Sequence, residues 1–140
     1  MVVCQTYQLG DREYLDGREG DLLGGEEFDE ESGPTWTLLV DGFPMAIFGY
    51  VNVSPGVYEM WSEVSDLARG HGLAAIRLVN QIQEMAFRNL EMHRLQATCR
   101  ADREEYTRFL EIMGFEREGV LRQATPNRKD LILYSMVRDV

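Results

Sequence analysis

Hydrophobic and polar positions alternate with a period of two through much of the first half of the chain, and switch to a helical period after residue 71. "VVCQTYQL" alternates as a short strand, whereas "DREYLDGREGDLL" reads as a weak helix or loop interrupted by Gly17 and Gly20. After Pro34, "TWTLLV" is β-rich, Asp41-Gly42 is a turn signal, and "PMAIFGYVNV" resumes as the return strand of a hairpin. Ser54-Pro55-Gly56 turns the chain again into "VYEMWSEVS". Leu73, Ile76, Val79, Ile82, Met85, Ala86 and Leu90 then recur at helical spacing and predict an amphipathic helix over about residues 72–90. "RLQATCR" follows as a strand and "DREEYTRFLEIM" as a second helix stopped by Gly114. "FEREGVLRQA" and "KDLILYSMVR" read as two final strands joined around Pro126-Asn127. This order predicts an α/β fold with a sheet of about seven strands.

Composition narrows the class. A chain of 140 residues, 44% hydrophobic, is about one domain with enough apolar surface for a core. No run approaches the ~18 apolar residues of a membrane span, and "MVVCQTYQLGDREY" lacks the order of a signal peptide. The expectation is a soluble, cytoplasmic protein with no membrane partner. Cys4 and Cys99 form no CxxC pair, and with His71 and His93 they make no metal-binding spacing, so neither a metal site nor a disulfide frame is expected.

The net charge of −10 argues against general nucleic-acid binding. Its distribution is uneven: residues 1–35 hold ten acidic residues against two arginines, and residues 36–140 hold 14 acidic against 12 basic residues. "GGEEFDEESGP" reads as a solvated loop, or as a lip that attracts a cationic substrate or partner.

The stretch "DLARGHGLAA" carries the strongest chemical signal. Arg69, Gly70, His71, Gly72, Leu73 and Ala74 fit RxxGxA where a strand ends and a helix begins. Glycines there let backbone amides turn toward a ligand, and the helix N-terminus adds unpaired N–H groups of partial positive charge. That chemistry suits a pyrophosphate; the alternative is a loop whose glycines only serve turn geometry. No GK[ST] follows and GxGxxG is absent, so the loop is read as neither a Walker loop nor the Rossmann GxGxxG fingerprint.

"VSDLARGHGLA", "RLQATCRADREEYTRFLEIMGFEREGVLR" and the closing "LILYSMVR" together resemble the GNAT superfamily of acetyl-coenzyme A dependent N-acetyltransferases, in order and at matching distances. The resemblance spans residues 36–138. It implies a mixed, mostly antiparallel sheet flanked by helices and splayed between the fourth and fifth strands. It also implies that the RxxGxA loop holds the coenzyme pyrophosphate, that Val64 makes a main-chain contact to the acetyl or pantetheine group, and that the acceptor is an amine of a protein or small molecule. "DGFPMAIFG" with "RFLEIMG" resembles more loosely the acetyltransferase-like internal virion proteins of tailed phages, which implies a virion location, a virion or homo-oligomeric partner and an assembly role on a degenerate scaffold.

Two residue types that serve catalysis in many GNAT enzymes are absent. The family's tyrosine, four residues before the glycine of the "GF" turn, is here Leu110, and the glutamate that some members carry in the preceding strand is Thr98. Direct attack by an amine still needs a neutral nitrogen against the carbonyl, donors for the oxyanion and a route for the proton. Strand alternation in "VYEMWSEVS" puts Val57, Glu59, Trp61, Glu63 and Ser65 on one face and Tyr58, Met60, Ser62 and Val64 on the other. Glu63, beside the expected thioester contact, is the first candidate base and Glu59 the second; the alternative is that both are solvent-facing strand carboxylates. Cys99 reads as packing, the His71 ring as secondary to its backbone amide, and Tyr106 as a partly buried helix residue that could also reach the cleft.

Overall fold

A computed structural model describes residues 1–11, 15, 33–65, 68 and 70–138. The described residues form β1 (Val2–Thr6), β2 (Thr35–Val40), β3 (Phe43–Ser54), β4 (Val57–Val64), α1 (Gly72–Asn89), β5 (Arg94–Arg100), α2 (Glu104–Ile112), β6 (Glu116–Leu121) and β7 (Leu131–Val137). These elements follow the sequence pattern closely. The acidic residues 26–31 and most of "DREYLDGREGDLL" lie outside the described residues.

The strands make one sheet in the order β1-β2-β3-β4-β5-β7-β6. Neighbours are antiparallel except β4 and β5, which run parallel. Asp41 and Gly42 turn β2 into β3 with φ of 49° and 86°, the two positive values of a tight hairpin that follows the sheet twist. Gly49 faces Trp61 across β3 and β4. A Cβ there would stand 2.7 Å from the Trp61 Nε1 and 2.8 Å from the Pro34 carbonyl oxygen, so only glycine lets the fully buried indole lie flat against this strand.

Each helix is a crossover between parallel strands, α1 from β4 to β5 and α2 from β5 to β6, and both crossovers move the same way across the sheet. Right-handed connections therefore set both helices on one face. α1 buries Ala75, Ile76, Val79, Gln83, Ala86 and Phe87 against that face. Leu73, expected on the apolar stripe, is 70% exposed in the first turn of the helix. α2 ends as expected at Gly114, whose φ is 101°. The Phe115 amide reaches back to the Leu110 carbonyl and the Gly114 amide to that of Glu111, both at 3.0 Å, so two orphan carbonyls of the last turn are satisfied.

The opposite face of the sheet carries Thr37, Ile47, Trp61, Glu59 and Glu63, since residues in register share a face. Asp11 accepts a 2.7 Å hydrogen bond from the Thr37 hydroxyl there, and Leu15 is buried. No described helix is long and apolar enough to cross a membrane.

Candidate acyl-transfer site

β4 and β5 are paired only from Val57 to Glu59 against Arg94 to Gln96, and beyond those three positions they separate. The expected splay between the fourth and fifth strands is therefore present. Its chemical consequence follows from strand geometry. The Ser65 amide donates to the Met45 carbonyl at 2.8 Å, which makes Glu63 and Trp61 the hydrogen-bonded partners of β3. Alternation then turns the peptide groups of Met60, Ser62 and Val64 the other way, into the gap. A ligand running along this edge meets ready main-chain donors and acceptors, and Val64 is among them.

The loop before α1 lies at the wide end of the gap. Asp66, Leu67 and Arg69 fall outside the described residues, so the arginine of the RxxGxA pattern has no placement here. Gly70 has a φ of 81° and nothing within 4 Å of a built Cβ. The His71 amide bonds the Ala68 carbonyl at 3.0 Å, and the His71 carbonyl accepts from Ala75 to start the helix. Among the described residues no side chain caps α1, and its first turn has no acidic residue. Gly72, Leu73 and Ala74 thus occupy an N-terminal turn whose positive dipole end is not neutralised by a carboxylate of its own. His71 is partly buried and Leu73 points outward, which leaves the backbone as the anion-directed part of this loop.

Between this turn, β4 and α2 lies an apolar cavity of ≈ 90 Å³. Ala68, Gly72, Tyr106 and Phe109 surround it on the loop side, and Leu38, Met45, Met60, Ile76, Val79 and Met113 farther in. Ser62 also lines it; this residue is 3% exposed, and its hydroxyl has no hydrogen-bond partner among the described residues. A buried hydroxyl left this way is costly, and a ligand atom would relieve it. A second depression, broad and shallow at ≈ 910 Å³, sits near the far end of α1 by Phe87, His93 and Arg138. There Arg138 stacks on Phe87 and is held by Glu84, so its charge is already used.

Glu59 and Glu63 stand on the face opposite the cavity. Glu59, at the last paired position, accepts a 3.0 Å hydrogen bond from Gln96. Gln96 in turn accepts from Arg94 at 3.1 Å, and the Arg94 guanidinium grips Glu118 with two bonds of 2.8 Å. The Ser135 hydroxyl donates to the same Glu118 carboxylate. Arg94, and then Ser135, hold the Glu118 carboxyl down to about 2. Glu59 thus ends a polar ladder across four strands, β4, β5, β7 and β6. Glu63 lies four residues farther along β4, opposite Ile47, where the fifth strand has left. Among the described residues no strand closes the gap at that point.

Leu110 is fully buried beneath α2, and Thr98 lies in the paired part of β5 opposite Leu133. The Tyr106 hydroxyl accepts from Arg103 at 2.8 Å on the rim of the cavity. Cys99 is fully buried, and burial, its largest influence, pushes the thiol up to about 11, which suits packing and not nucleophilic attack. No cluster of three or more metal-ligating side chains occurs among the described residues. Sequence reading passed over Ser62, Phe109 and the Arg94–Gln96 ladder; the one available signal was a serine between two apolar residues on a strand face otherwise directed at the core.

No protein-family model and no curated protein matches the sequence. Solved structures do. A GNAT-family acetyltransferase from Bacillus anthracis superposes with a TM-score of 0.76 at 16% identity, over 97% of this chain and 94% of its own. The ribosomal-protein-S5-alanine acetyltransferase of Vibrio fischeri gives 0.69 at 19% identity over 79% of this chain, and the match spans 64% of that protein's length. A ribosomal L7/L12 alpha-N-protein acetyltransferase, solved in complex with coenzyme A, gives 0.67 at 13% identity over 77% of this chain and 63% of its own. With its seven-stranded mixed sheet, its parallel β4–β5 pair and these superpositions, this chain has the fold of the GNAT acetyltransferases.

Proposed function

We propose that this protein is an acetyl-coenzyme A dependent N-acetyltransferase acting on an amine of a protein or small molecule. The observation that carries the reading is the gap beyond Glu59 and Gln96, open to unpaired β4 peptide groups, with an uncapped helix start at one end and carboxylates on the far face. The diphosphate would sit against the turn formed by Gly70, His71, Gly72, Leu73 and Ala74, with Arg69 supplying charge. The pantetheine arm would follow the β4 edge past Val64. An amine arriving on the opposite face would meet the thioester carbonyl in the gap, where β4 amides can stabilise the oxyanion. Glu63, beyond the last β4–β5 pair, is the proposed proton acceptor, directly or through a water; Glu59, at the last paired position, is the second choice.

A second reading has its own support. Leu110 fills, fully buried, the position where many relatives of this fold carry a proton-donating tyrosine. On that reading the scaffold binds coenzyme, as a sensor or assembly protein, without turnover. The two are separated by measuring the melting temperature with acetyl-coenzyme A and then thiol release over a broad panel of amines. A thermal shift with turnover supports the enzyme, a shift without turnover supports the binding scaffold, and no shift at millimolar coenzyme discards both.

A further inference from the structure

We infer that the loop between β6 and β7, residues 122–130, is a docking surface for an acidic polypeptide segment. The binding stands independently of the acyltransferase reading; only its consequence for the acceptor rests on that reading. The protein carries a net charge of −10, yet Arg122, Arg128 and Lys129 lie together in this loop, all exposed. Among the described residues none of these three side chains takes part in an ion pair or a hydrogen bond. The carboxylate of the loop, Asp130, accepts from the Gln123 amide at 2.9 Å. At the neighbouring end of β5, Asp102 is held first by Arg100, with bonds of 3.1 and 2.8 Å, and Lys129 is a lesser influence on it. The acids nearest the loop are thus already engaged, and its cations face solvent.

The loop is shaped without those side chains. The Ala124 amide donates to the Lys129 carbonyl and the Arg128 amide to the Thr125 carbonyl, both at 2.9 Å, and the Lys129 amide donates to the Thr125 hydroxyl at 2.8 Å. The Ala101 amide ties the loop to the end of β5 through the Asp130 carbonyl at 3.0 Å. A surface held in shape in this way loses little freedom on binding. Arg128 stands at φ 61°, a conformation that favours glycine, so its side chain does not serve the turn. Arginine and lysine on such a hairpin suit the carboxylates of an extended chain, arginine through its paired N–H groups. A nucleic acid is the poorer match, because its run of phosphates would continue past the cations onto β6, where Glu116 and Glu118 are exposed.

The position of the loop connects it to the candidate site. Leu131 pairs with Arg100 and Leu121 with Leu131, so the loop lies at the end of the sheet where β4 and β5 separate. Two to three strand spacings of ~4.8 Å lie between β4 and this hairpin, or about four residues of extended chain at ~3.3 Å each. A partner docked through its acidic residues would present an amine about that far along its chain to the gap.

The test is fluorescence anisotropy at about 0.15 M salt, where the Debye length is about 8 Å and the repulsion from distant acids is screened. Its probes are a labelled peptide with a run of glutamates four positions from its N-terminal amine, the same peptide with glutamines, and oligouridylate. The acidic peptide should bind at least tenfold more tightly than its glutamine counterpart, and most of that preference should vanish at about 1 M salt. Combined Arg122→Gln, Arg128→Gly and Lys129→Gln replacement should abolish the preference with no fall in melting temperature. Arg77→Gln, at an exposed cation of α1, should leave it unchanged. If the triple variant does not fold, Arg122→Gln and Lys129→Gln decide singly, each expected to weaken acidic-peptide binding at least threefold. Equal binding of the two peptides by the parent overturns the inference, as does an undiminished preference in the folded triple variant or in both single ones. Tighter binding of oligouridylate also overturns it and assigns the loop to nucleic acid. The acyltransferase reading is untouched by any of these results, because the coenzyme-induced thermal shift tests it separately.

Discussion

The first residue of α1 touches the second helix: a Cβ built on Gly72 would lie 3.2 Å from the Cζ of Phe109, tighter than ordinary van der Waals contact. The two helices thus come together where the diphosphate is expected, and a side chain at this position would press on the ring. Gly72→Val should displace the Phe109 ring and narrow the site while leaving the core beneath α1 in place. The native fold of the variant should persist by circular dichroism. Its stabilisation by acetyl-coenzyme A, about 2.7 kcal/mol in the parent at a hundredfold excess over Kd, should be lost. Pairing Gly72→Ala with Phe109→Leu should restore part of it; a full ligand response in Gly72→Val would make the contact irrelevant to binding.

Glu63→Gln keeps the shape of the side chain and removes its ability to take a proton. Turnover should fall about 10²- to 10⁴-fold while the coenzyme-induced thermal shift is retained. Full activity in this variant would move the role to Glu59 or to water alone.

Ser62 separates stability from binding. Its buried hydroxyl has no partner among the described residues, a state that costs about 1–3 kcal/mol, so Ser62→Ala should leave the free protein as stable as the parent or more so. The same variant should bind acyl-coenzyme A more weakly. Urea unfolding without ligand and calorimetry with it read the two effects, and a marked loss of stability in the free protein would show that the hydroxyl is satisfied.

The Arg94–Glu118–Ser135 cluster predicts a specific acid response. Glu118 is held at about 2 in the folded protein, first by Arg94 and then by the Ser135 hydroxyl, against roughly 4.3 in an unfolded chain. A depressed carboxyl pKa stabilises the fold at pH values above the unfolded pKa, and that contribution is lost as pH falls from about 4.3 to about 2. Parent and Glu118→Gln should therefore differ in melting temperature at neutral pH and converge toward pH 2. Because Glu118 is exposed to solvent, the difference should also shrink in high salt. Curves that stay parallel down to pH 2 would show that the pairing does not stabilise the fold.

Much of this fold is legible in one dimension. Period-two alternation fixed β2, β3 and β4, a helical repeat fixed α1, and Gly114 marked the end of α2, because each depends on contacts between residues close in sequence. The RxxGxA loop was visible for the same reason: a strand, two glycines and a helix start are consecutive. Which face of β4 bears Glu59 and Glu63, and which bears Ser62, also follows from alternation alone.

What those faces meet does not. That Glu59 is engaged by Gln96 while Glu63 lies beyond the last β4–β5 pair depends on where two strands, separated by the whole of α1, stop pairing. The contact of Gly72 with Phe109, the cavity between α1, β4 and α2, and the burial of the Ser62 hydroxyl likewise bring together residues far apart in sequence. The sequence by itself determined the elements and the candidate loop, since short-range periodicity and turn chemistry encode them. Only the tertiary structure decided the shape of the gap and its lining, because side-chain volume and strand separation in three dimensions set how much room is left between packed elements.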